Sequence, residues 1–235
     1  MKPERMPVES ALMELAADIV VCRRCPRLVA WRERVAIEKV ARFAGEPYWG
    51  RPLPGFGDPN ARVLVLGLAP AAHGGNRTGR IFTGDRSGDF LCAALFATGY
   101  ANQATSVRAD DGLILTDAYL AAAVRCAPPL NRPTNVERDN CSPYLVRELA
   151  ALSRVRVIVA LGAFGWDAAL RTIAAADVTL TTGRRPKFGH GAEAAIGPYQ
   201  LIGSFHPSQR NTFTGRLTPP MLESILSRAK EIAQT

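Results

Sequence analysis

The sequence predicts a three-layer α/β protein in which helices cover both faces of a central, mainly parallel sheet of four strands. The first observation is that short, continuously apolar runs alternate with longer helical patterns, as they do when helices connect parallel strands. The second is that 235 residues with 47% hydrophobic content can build one packed core. The third is that no repeat, linker or low-complexity tract divides the chain. We therefore expect a single domain over residues 1–235.

Residues 1–60 are expected to form a helical segment ahead of the sheet. Apolar residues at helical spacing predict one helix over about 10–21 and a second over about 26–40. Residues 45–59 are rich in proline and glycine, which predicts a long irregular connection to the first strand.

Strands and helices then alternate to the end of the chain. Continuous apolar runs are typical of strands that are buried on both faces of a parallel sheet. Helix start signals lie between them, and the clearest is a capping box formed by Thr134 and Glu137. The predicted strands cover 62–68, 118–124, 155–161 and 201–204, and the predicted helices cover 85–100, 134 through at least 141, 163–175 and 218–233.

The net charge of the chain is +8, from 29 basic and 21 acidic side chains. Arginine supplies 25 of the basic residues, and its planar guanidinium group binds phosphate through two hydrogen bonds. The excess favours a polyanionic partner such as nucleic acid, although the codon bias of a GC-rich genome produces the same composition. The hydrophobic content excludes a disordered chain.

Membrane insertion and export are not expected from the sequence. No uninterrupted apolar run approaches the roughly 18 residues of a membrane span. The polar first residues, with Glu4 and Glu9, match neither a secretory nor a transit signal. We therefore expect a cytoplasmic protein.

The chain has five cysteines, an odd number that argues against a complete set of internal disulfides. Cys22 and Cys25 form a Cys-x2-Cys pair, and Cys126 and Cys141 follow. A thioredoxin-type pair would follow a strand, whereas this pair follows a helix, so metal ligation is favoured over redox catalysis. Four thiolates at this spacing suit zinc and iron–sulfur clusters alike. Cys92 lies in an apolar stretch and is expected to be a small buried residue.

Polar residues follow the first predicted strand, at the sheet edge where α/β proteins bind ligands. Glycines there allow close backbone approach, and Asn76, Arg77 and Arg80 could reach a phosphate or a base edge. The loop is neither a Walker motif nor a dinucleotide fingerprint. An ordinary turn in which Asp85 caps the next helix is the simpler interpretation, and capping and catalysis are compatible.

Two further loops carry polar residues after predicted strands. Asn131 offers one acceptor and two donors, which is the set needed to read the imide edge of uracil, but asparagine before proline is also a common turn residue. His206 follows the last strand and His73 the first, and only one further histidine, His190, is present. Histidines in these positions favour a functional site over a role in the core.

The chain carries several informative runs in order, at 22–31, 45–49, 54–58, 67–70, 73–79, 82–85, 123–129 and 206–208. Together these runs resemble a known family, the uracil-DNA glycosylases of family 5 (type B). These are iron–sulfur enzymes of bacteria and archaea, and the resemblance spans Cys22 to about Leu217. The related family 4 has glutamate where Leu68 stands, and some family 5 members have glycine where Ala71 stands.

The resemblance implies a uracil-DNA glycosylase-like fold and an enzyme that flips uracil, and other deaminated bases such as hypoxanthine, out of DNA. Hydrolysis of the N-glycosidic bond would then leave an abasic site. In that reaction Asp85 would orient water and stabilise the sugar cation, and His206 would stabilise the departing uracil anion. The residues expected to bind the base are Asn131, His73, Ala69 and Asn76.

The resemblance also implies a structural [4Fe–4S] cluster and a DNA partner. Cys22, Cys25, Cys126 and Cys141 would hold the cluster, which would tie the N-terminal segment to the sheet. A monomer is expected, with no membrane partner. The residues expected to contact DNA are Arg77, Arg80, Arg132, Ser208, Gln209, Arg210 and Asn211.

Two alternatives remain open from the residues alone. A non-catalytic iron–sulfur module that binds nucleic acid would explain the arginines and cysteines but would leave Asp85, Asn131 and His206 without a role. A zinc-containing α/β enzyme that processes free nucleotides would use the same four thiolates.

Overall fold

Helices pack on both faces of a six-stranded sheet in residues 7–176 and 185–235, which are the residues that the computed structural model describes. The strand order is β1-β3-β2-β4-β6-β5, in which the four central strands run parallel and the two edge strands are antiparallel to their neighbours. The strands are β1 (Phe56–Gly57), β2 (Val63–Gly67), β3 (Ala118–Ala122), β4 (Val157–Leu161), β5 (Glu193–Ile196) and β6 (Tyr199–Ser204).

The four predicted strands are the central ones, and the two edge strands correct the predicted number from four to six. Every residue of β2, β3 and β4 is buried, which explains their continuous apolar sequences. β1 is only two residues long, and β5 has two exposed residues among four. Neither edge strand therefore produces an apolar run.

Eight α-helices occur in the described residues, and the six longer ones match the predicted helices to within a few residues. The capping box of Thr134 and Glu137 is present. None of these helices is long and apolar enough to cross a membrane. The helices are α1 (Val8–Val20), α2 (Pro26–Glu38), α3 (Gly75–Thr78), α4 (Arg86–Ala97), α5 (Asn135–Ala151), α6 (Ala163–Ala175), α7 (Gln209–Phe213) and α8 (Pro219–Gln234).

The alternation of side chains along the strands divides the core into two layers. Val63 and Val65 of β2 pack in the cluster that includes residues of α4 and α8. Leu64 and Leu66 pack in the cluster that includes residues of α5 and α6. The predicted three-layer arrangement is confirmed. Because β2, β3, β4 and β6 are parallel, the loops that follow them meet at one edge of the sheet.

Candidate active site

A cavity of about 530 Å³ lies at that edge of the sheet. Asp85, Asn131 and His206 all line it, although they come from three different loops. Four further residues that the sequence singled out also line the cavity: Ala69, Ser208, Gln209 and Arg210.

Asp85 is the N-cap of α4, as the sequence predicts. Its Oδ1 accepts hydrogen bonds from the backbone N–H groups of Ser87, at 2.9 Å, and Gly88, at 3.0 Å. Burial raises the pKa of Asp85, and these two bonds act in the opposite direction. The carboxylate is therefore fixed in direction, and its charge lies in a largely desolvated place.

His206 follows β6 and faces the same cavity. Burial lowers the pKa of His206 to about 4, so the imidazole is neutral at neutral pH. Its backbone carbonyl accepts a hydrogen bond from Asn211 Nδ2 at 2.9 Å. Asn211, which the sequence suggested as a DNA contact, thus supports the histidine loop. A neutral imidazole can still donate one N–H to a substrate oxygen.

Asn131 lies in a strained turn at the mouth of the cavity. Leu130 and Asn131 have φ values of 55° and 54°, in the left-handed region that residues with side chains rarely adopt. Arg27 holds the turn from outside, because its Nη2 donates to the Arg132 carbonyl at 3.1 Å while its guanidinium pairs with Glu137. Arg132 itself does not line the cavity.

Phe82 is a cavity residue that sequence reasoning did not single out. Its φ is 51°, and its ring lies against Gly67, where an added Cβ would be 2.5 Å from the Phe82 Cζ atom. The matching run 82–85 contained this phenylalanine, so the signal was present. Arg86 was also missed; it lines the cavity and lies over the Phe213 ring at 5.1 Å.

The structure corrects the roles expected of Arg77 and Arg80, whose side chains are 6% exposed. Arg77 pairs with Glu46 and donates to the Gly84 carbonyl at 3.0 Å. Arg80 pairs with Asp111 at 2.8 Å. Their guanidinium groups are occupied within the protein, so they are not available to DNA phosphates.

Asn76 and His73 also lie outside the cavity lining. Asn76 is fully buried and its Nδ2 donates to the Arg32 carbonyl at 3.2 Å, so it cannot bind a base. His73 Nδ1 is 3.0 Å from the Tyr48 hydroxyl, and burial, followed by the nearby Arg77 charge, lowers the pKa of His73. Asn76 therefore supports the loop after β2, whereas a contact between His73 and the base stays a prediction.

The four predicted metal ligands surround one small second cavity. Cys22, Cys25, Cys126 and Cys141 all line it, and Cys92 is buried elsewhere, with its Sγ 3.4 Å from the Gln103 carbonyl. Within residues 7–176 and 185–235, no group of three or more His, Cys, Asp or Glu side chains is close enough to hold a metal ion. All four of these cysteines thus line one cavity.

A buried arginine lies beside this cysteine cavity. Arg32 is 2% exposed; its Nη1 donates to Cys126 Sγ at 2.9 Å and its Nη2 to the Cys22 carbonyl at 3.1 Å. Burial raises the pKa of Cys126 to about 12 and that of Cys141 to about 11. The Arg32 charge acts against the effect of burial at Cys126, and a buried cation bonded to a sulfur fits an anionic thiolate centre.

Comparison with known proteins assigns the family. The family model of the uracil DNA glycosylase superfamily matches residues 54–230. A type-5 uracil-DNA glycosylase of Mycobacterium tuberculosis is 54% identical over 95% of this chain and 82% of its own length. The type-5 enzyme of Thermus thermophilus is 50% identical over 92% of this chain and 95% of its own.

A type-4 uracil-DNA glycosylase of Archaeoglobus fulgidus is 35% identical, but over only 48% of this chain. The type-5 relatives therefore match the chain over a much larger part, which confirms the resemblance found in the sequence. The chain belongs to the uracil DNA glycosylase superfamily.

Proposed function

We propose that this protein is a uracil-DNA glycosylase, which removes uracil from DNA by hydrolysing the N-glycosidic bond and leaves an abasic site. The observation that carries the proposal is the meeting of Asp85, Asn131 and His206 in one cavity beyond the strand ends. The names and high identity of the type-5 relatives support it.

The target nucleotide must leave the base stack, because the bond to be broken cannot be reached inside a duplex. The exposed rim of the cavity supplies Arg86, Gln209 and Arg210. Arginines at this rim would bind the phosphates next to the flipped nucleotide without reading sequence. Ser208 also lines the cavity and could accept or donate one further hydrogen bond.

The flipped base would be held by stacking and by hydrogen bonds. Phe82 presents the one phenyl ring in the cavity lining among the described residues, and a base can stack on such a ring. Asn131 at the mouth carries both an acceptor and donors, which complement the imide edge of uracil. The remaining wall near Ala69 and Ala71 is apolar and small, which is consistent with acceptance of other deaminated bases such as hypoxanthine.

Bond cleavage produces a positive charge on the sugar and a negative charge on uracil, and Asp85 and His206 are suited to stabilise them. The sugar becomes cationic as the electron pair of the C–N bond moves to uracil. The ionised carboxylate of Asp85 would stabilise that cation and orient the water whose oxygen bonds to the anomeric carbon. The neutral imidazole of His206 would donate a hydrogen bond to the uracil oxygen on which negative charge develops. The proton released by water ends on the departing base or in solvent.

We also propose that the cysteine cavity holds a [4Fe–4S] cluster through Cys22, Cys25, Cys126 and Cys141. The cluster would supply a covalent link between the turn after α1, the loop after β3 and α5, and it would take no part in hydrolysis. Arg32 would balance part of its negative charge. Zinc remains the alternative, and iron analysis together with the brown colour of iron–sulfur proteins distinguishes the two.

The proposal is tested by incubating the protein with a uracil-containing oligonucleotide and then with alkali, which cleaves the strand at an abasic site. We expect cleavage at uracil and none in the matched thymine oligonucleotide. Binding without cleavage would favour the non-catalytic nucleic-acid-binding module. A hypoxanthine oligonucleotide in the same assay tests the broader specificity.

We also propose that the protein is active as a monomer, as the family resemblance suggests. Since the substrate is cellular DNA, we place the enzyme in the cytoplasm. Sedimentation together with activity at low protein concentration tests the first point.

A further inference from the structure

We infer that Gly74 is the positioning residue for the Asp85 carboxylate. The inference rests on the proposed function, because it takes Asp85 as the group that orients water and faces the sugar. It gives the loop after β2 a role in catalysis, although Asn76, Arg77 and Arg80 of that loop do not line the cavity.

The absence of a side chain at position 74 creates the space that Asp85 occupies. A Cβ added to Gly74 would overlap Asp85 Oδ2 and would lie 2.7 Å from Cγ and 2.9 Å from Cβ of that aspartate. The φ of Gly74 is −101°, so a left-handed backbone is not what requires glycine here. Any larger residue must displace the carboxylate or the loop.

The two carboxylate oxygens are therefore held from two sides. Oδ1 is bonded by the backbone N–H groups of Ser87 and Gly88. Oδ2 lies over the bare Cα of Gly74. The hydrogen bonds to Oδ1 fix the distance of the carboxylate from α4, and the packing of Oδ2 on Gly74 fixes its rotation. Together they set the direction in which the carboxylate would orient a water molecule.

The loop cannot easily move away, because its own bonds hold it. The Gly74 carbonyl accepts from the N–H groups of Arg77 and Thr78, each at 2.9 Å. Arg77 Nε donates to the His73 carbonyl at 2.8 Å, and Tyr48 bonds the His73 ring. A side chain at position 74 would thus push on Asp85 more readily than on the loop.

The expected effect is a loss of rate without a loss of substrate binding. A displacement of about 1 Å at a catalytic group can cost on the order of a hundredfold in rate, and we expect a loss of that size for Gly74→Ala under single-turnover conditions. Binding of a thymine-for-uracil oligonucleotide, measured by fluorescence anisotropy, should stay unchanged because the rim arginines are untouched.

Two glycine variants serve as controls. Gly45→Ala adds a methyl group where no atom lies within 4 Å and should leave the rate unchanged. Gly75→Ala crowds Leu53, Pro70 and the Arg80 carbonyl, at 3.0, 3.2 and 3.3 Å, and none of these three nearest neighbours is Asp85. It reports what a packing disturbance in the same loop does to stability and rate.

The decisive experiment is a double-mutant cycle of Gly74→Ala and Asp85→Asn. If Gly74 acts through Asp85, Gly74→Ala reduces the rate of the wild type but adds no further loss to Asp85→Asn. A wild-type rate for Gly74→Ala, or the same loss in both backgrounds, would overturn the inference. A full rate for Asp85→Asn alone would instead defeat the catalytic role given to Asp85 under the proposed function.

The cycle also remains informative if Gly74→Ala unfolds. In that case Gly74→Ala is combined with Asp85→Ala, which removes the overlapping atoms, and thermal unfolding is compared with that of Asp85→Ala alone. Equal melting temperatures support a clash with the carboxylate, and persistent destabilisation contradicts it.

Discussion

The catalytic cavity and the cysteine cavity receive residues from the same loop after β3. They differ in whether their charged side chains have partners of opposite charge within the protein. Around the cysteines, Arg32 bonds to Cys126 and the buried Arg125 pairs with Glu148 at 2.5 Å. In the catalytic cavity Asp85 and His206 are partly buried without a hydrogen-bonded partner of opposite charge in the described residues, and burial moves both pKa values toward the neutral form.

This difference separates groups that serve the fold from groups that serve the reaction. Where the chain satisfies its own polar atoms, removing one partner leaves the other buried and unpaired, so stability is lost. Where polar atoms are left for a substrate, removing one costs activity and can even stabilise the protein. The following variants test this division, beginning with the largest expected effect on catalysis.

Asp85→Asn should lower the single-turnover rate by about a thousandfold, within the range for loss of a catalytic acid–base group. Asparagine is also a good N-cap, so α4 should persist. Burial raises the pKa of Asp85 in the folded protein. The folded state therefore loses stability as pH rises and this carboxyl ionises. At neutral pH the variant should therefore melt no lower than the wild type, whereas retained activity would remove Asp85 from the mechanism.

His206→Ala should lower kcat/KM. The expected decrease corresponds to about 2–4 kcal/mol of lost transition-state stabilisation, as expected for loss of a main anion stabiliser. The matched control is His190→Ala, because that imidazole stacks on Phe205 and accepts from its N–H but does not line the cavity. Steady-state kinetics should show the loss only for His206. Equal losses for both variants would indicate disturbance of the loop and not of the reaction.

Cys141→Ser should lower stability, whereas the two preceding variants should mainly lower activity. With the proposed cluster, we expect loss of iron and a lower melting temperature, because metal binding contributes directly to folding. Cys92→Ser is the control, since Cys92 lies away from the cysteine cavity. Iron analysis and thermal unfolding of both variants measure the effect. A Cys141→Ser protein that keeps its full iron content would refute the ligand set.

Arg210→Gln should have the smallest effect on catalysis but a distinct effect on DNA binding. Loss of one phosphate contact should reduce the slope of log affinity against log salt by about one. Arg80→Gln should leave that slope unchanged and should cost about 3–5 kcal/mol of stability, as a broken buried ion pair does. An unchanged slope for Arg210→Gln would remove it from the DNA contacts.

The central sheet could be predicted from the sequence because burial on both faces makes a strand continuously apolar. β5 could not, since two of its four residues are exposed and only Ile196 is fully buried. Asp85 was recognised both as a cap and as a site residue, because capping signals are local. The cavity itself could be anticipated because parallel strands end at one edge.

Arg77 and Arg80 were assigned to DNA because they follow the first predicted strand, at the sheet edge where ligands bind. Their partners Glu46 and Asp111 lie 31 residues away in either direction, and only the fold brings them together. Gly74 shows the same limit, because its contact with Asp85 depends on two loops meeting. Local patterns predict which residues face a strand end, but they do not predict which of them remain free.

The pH dependence of the single-turnover rate on a uracil oligonucleotide tests most directly that a buried, ionised Asp85 acts with a neutral His206. The rate should fall as pH falls through the raised pKa of Asp85, above the ordinary aspartate value of about 3.9. Neutral His206 persists down to a pKa of about 4 and should not limit the rate above that. A rate that stays constant down to the ordinary aspartate pKa would contradict the account. So would an Asp85→Asn variant whose rate still falls at acid pH in the same way.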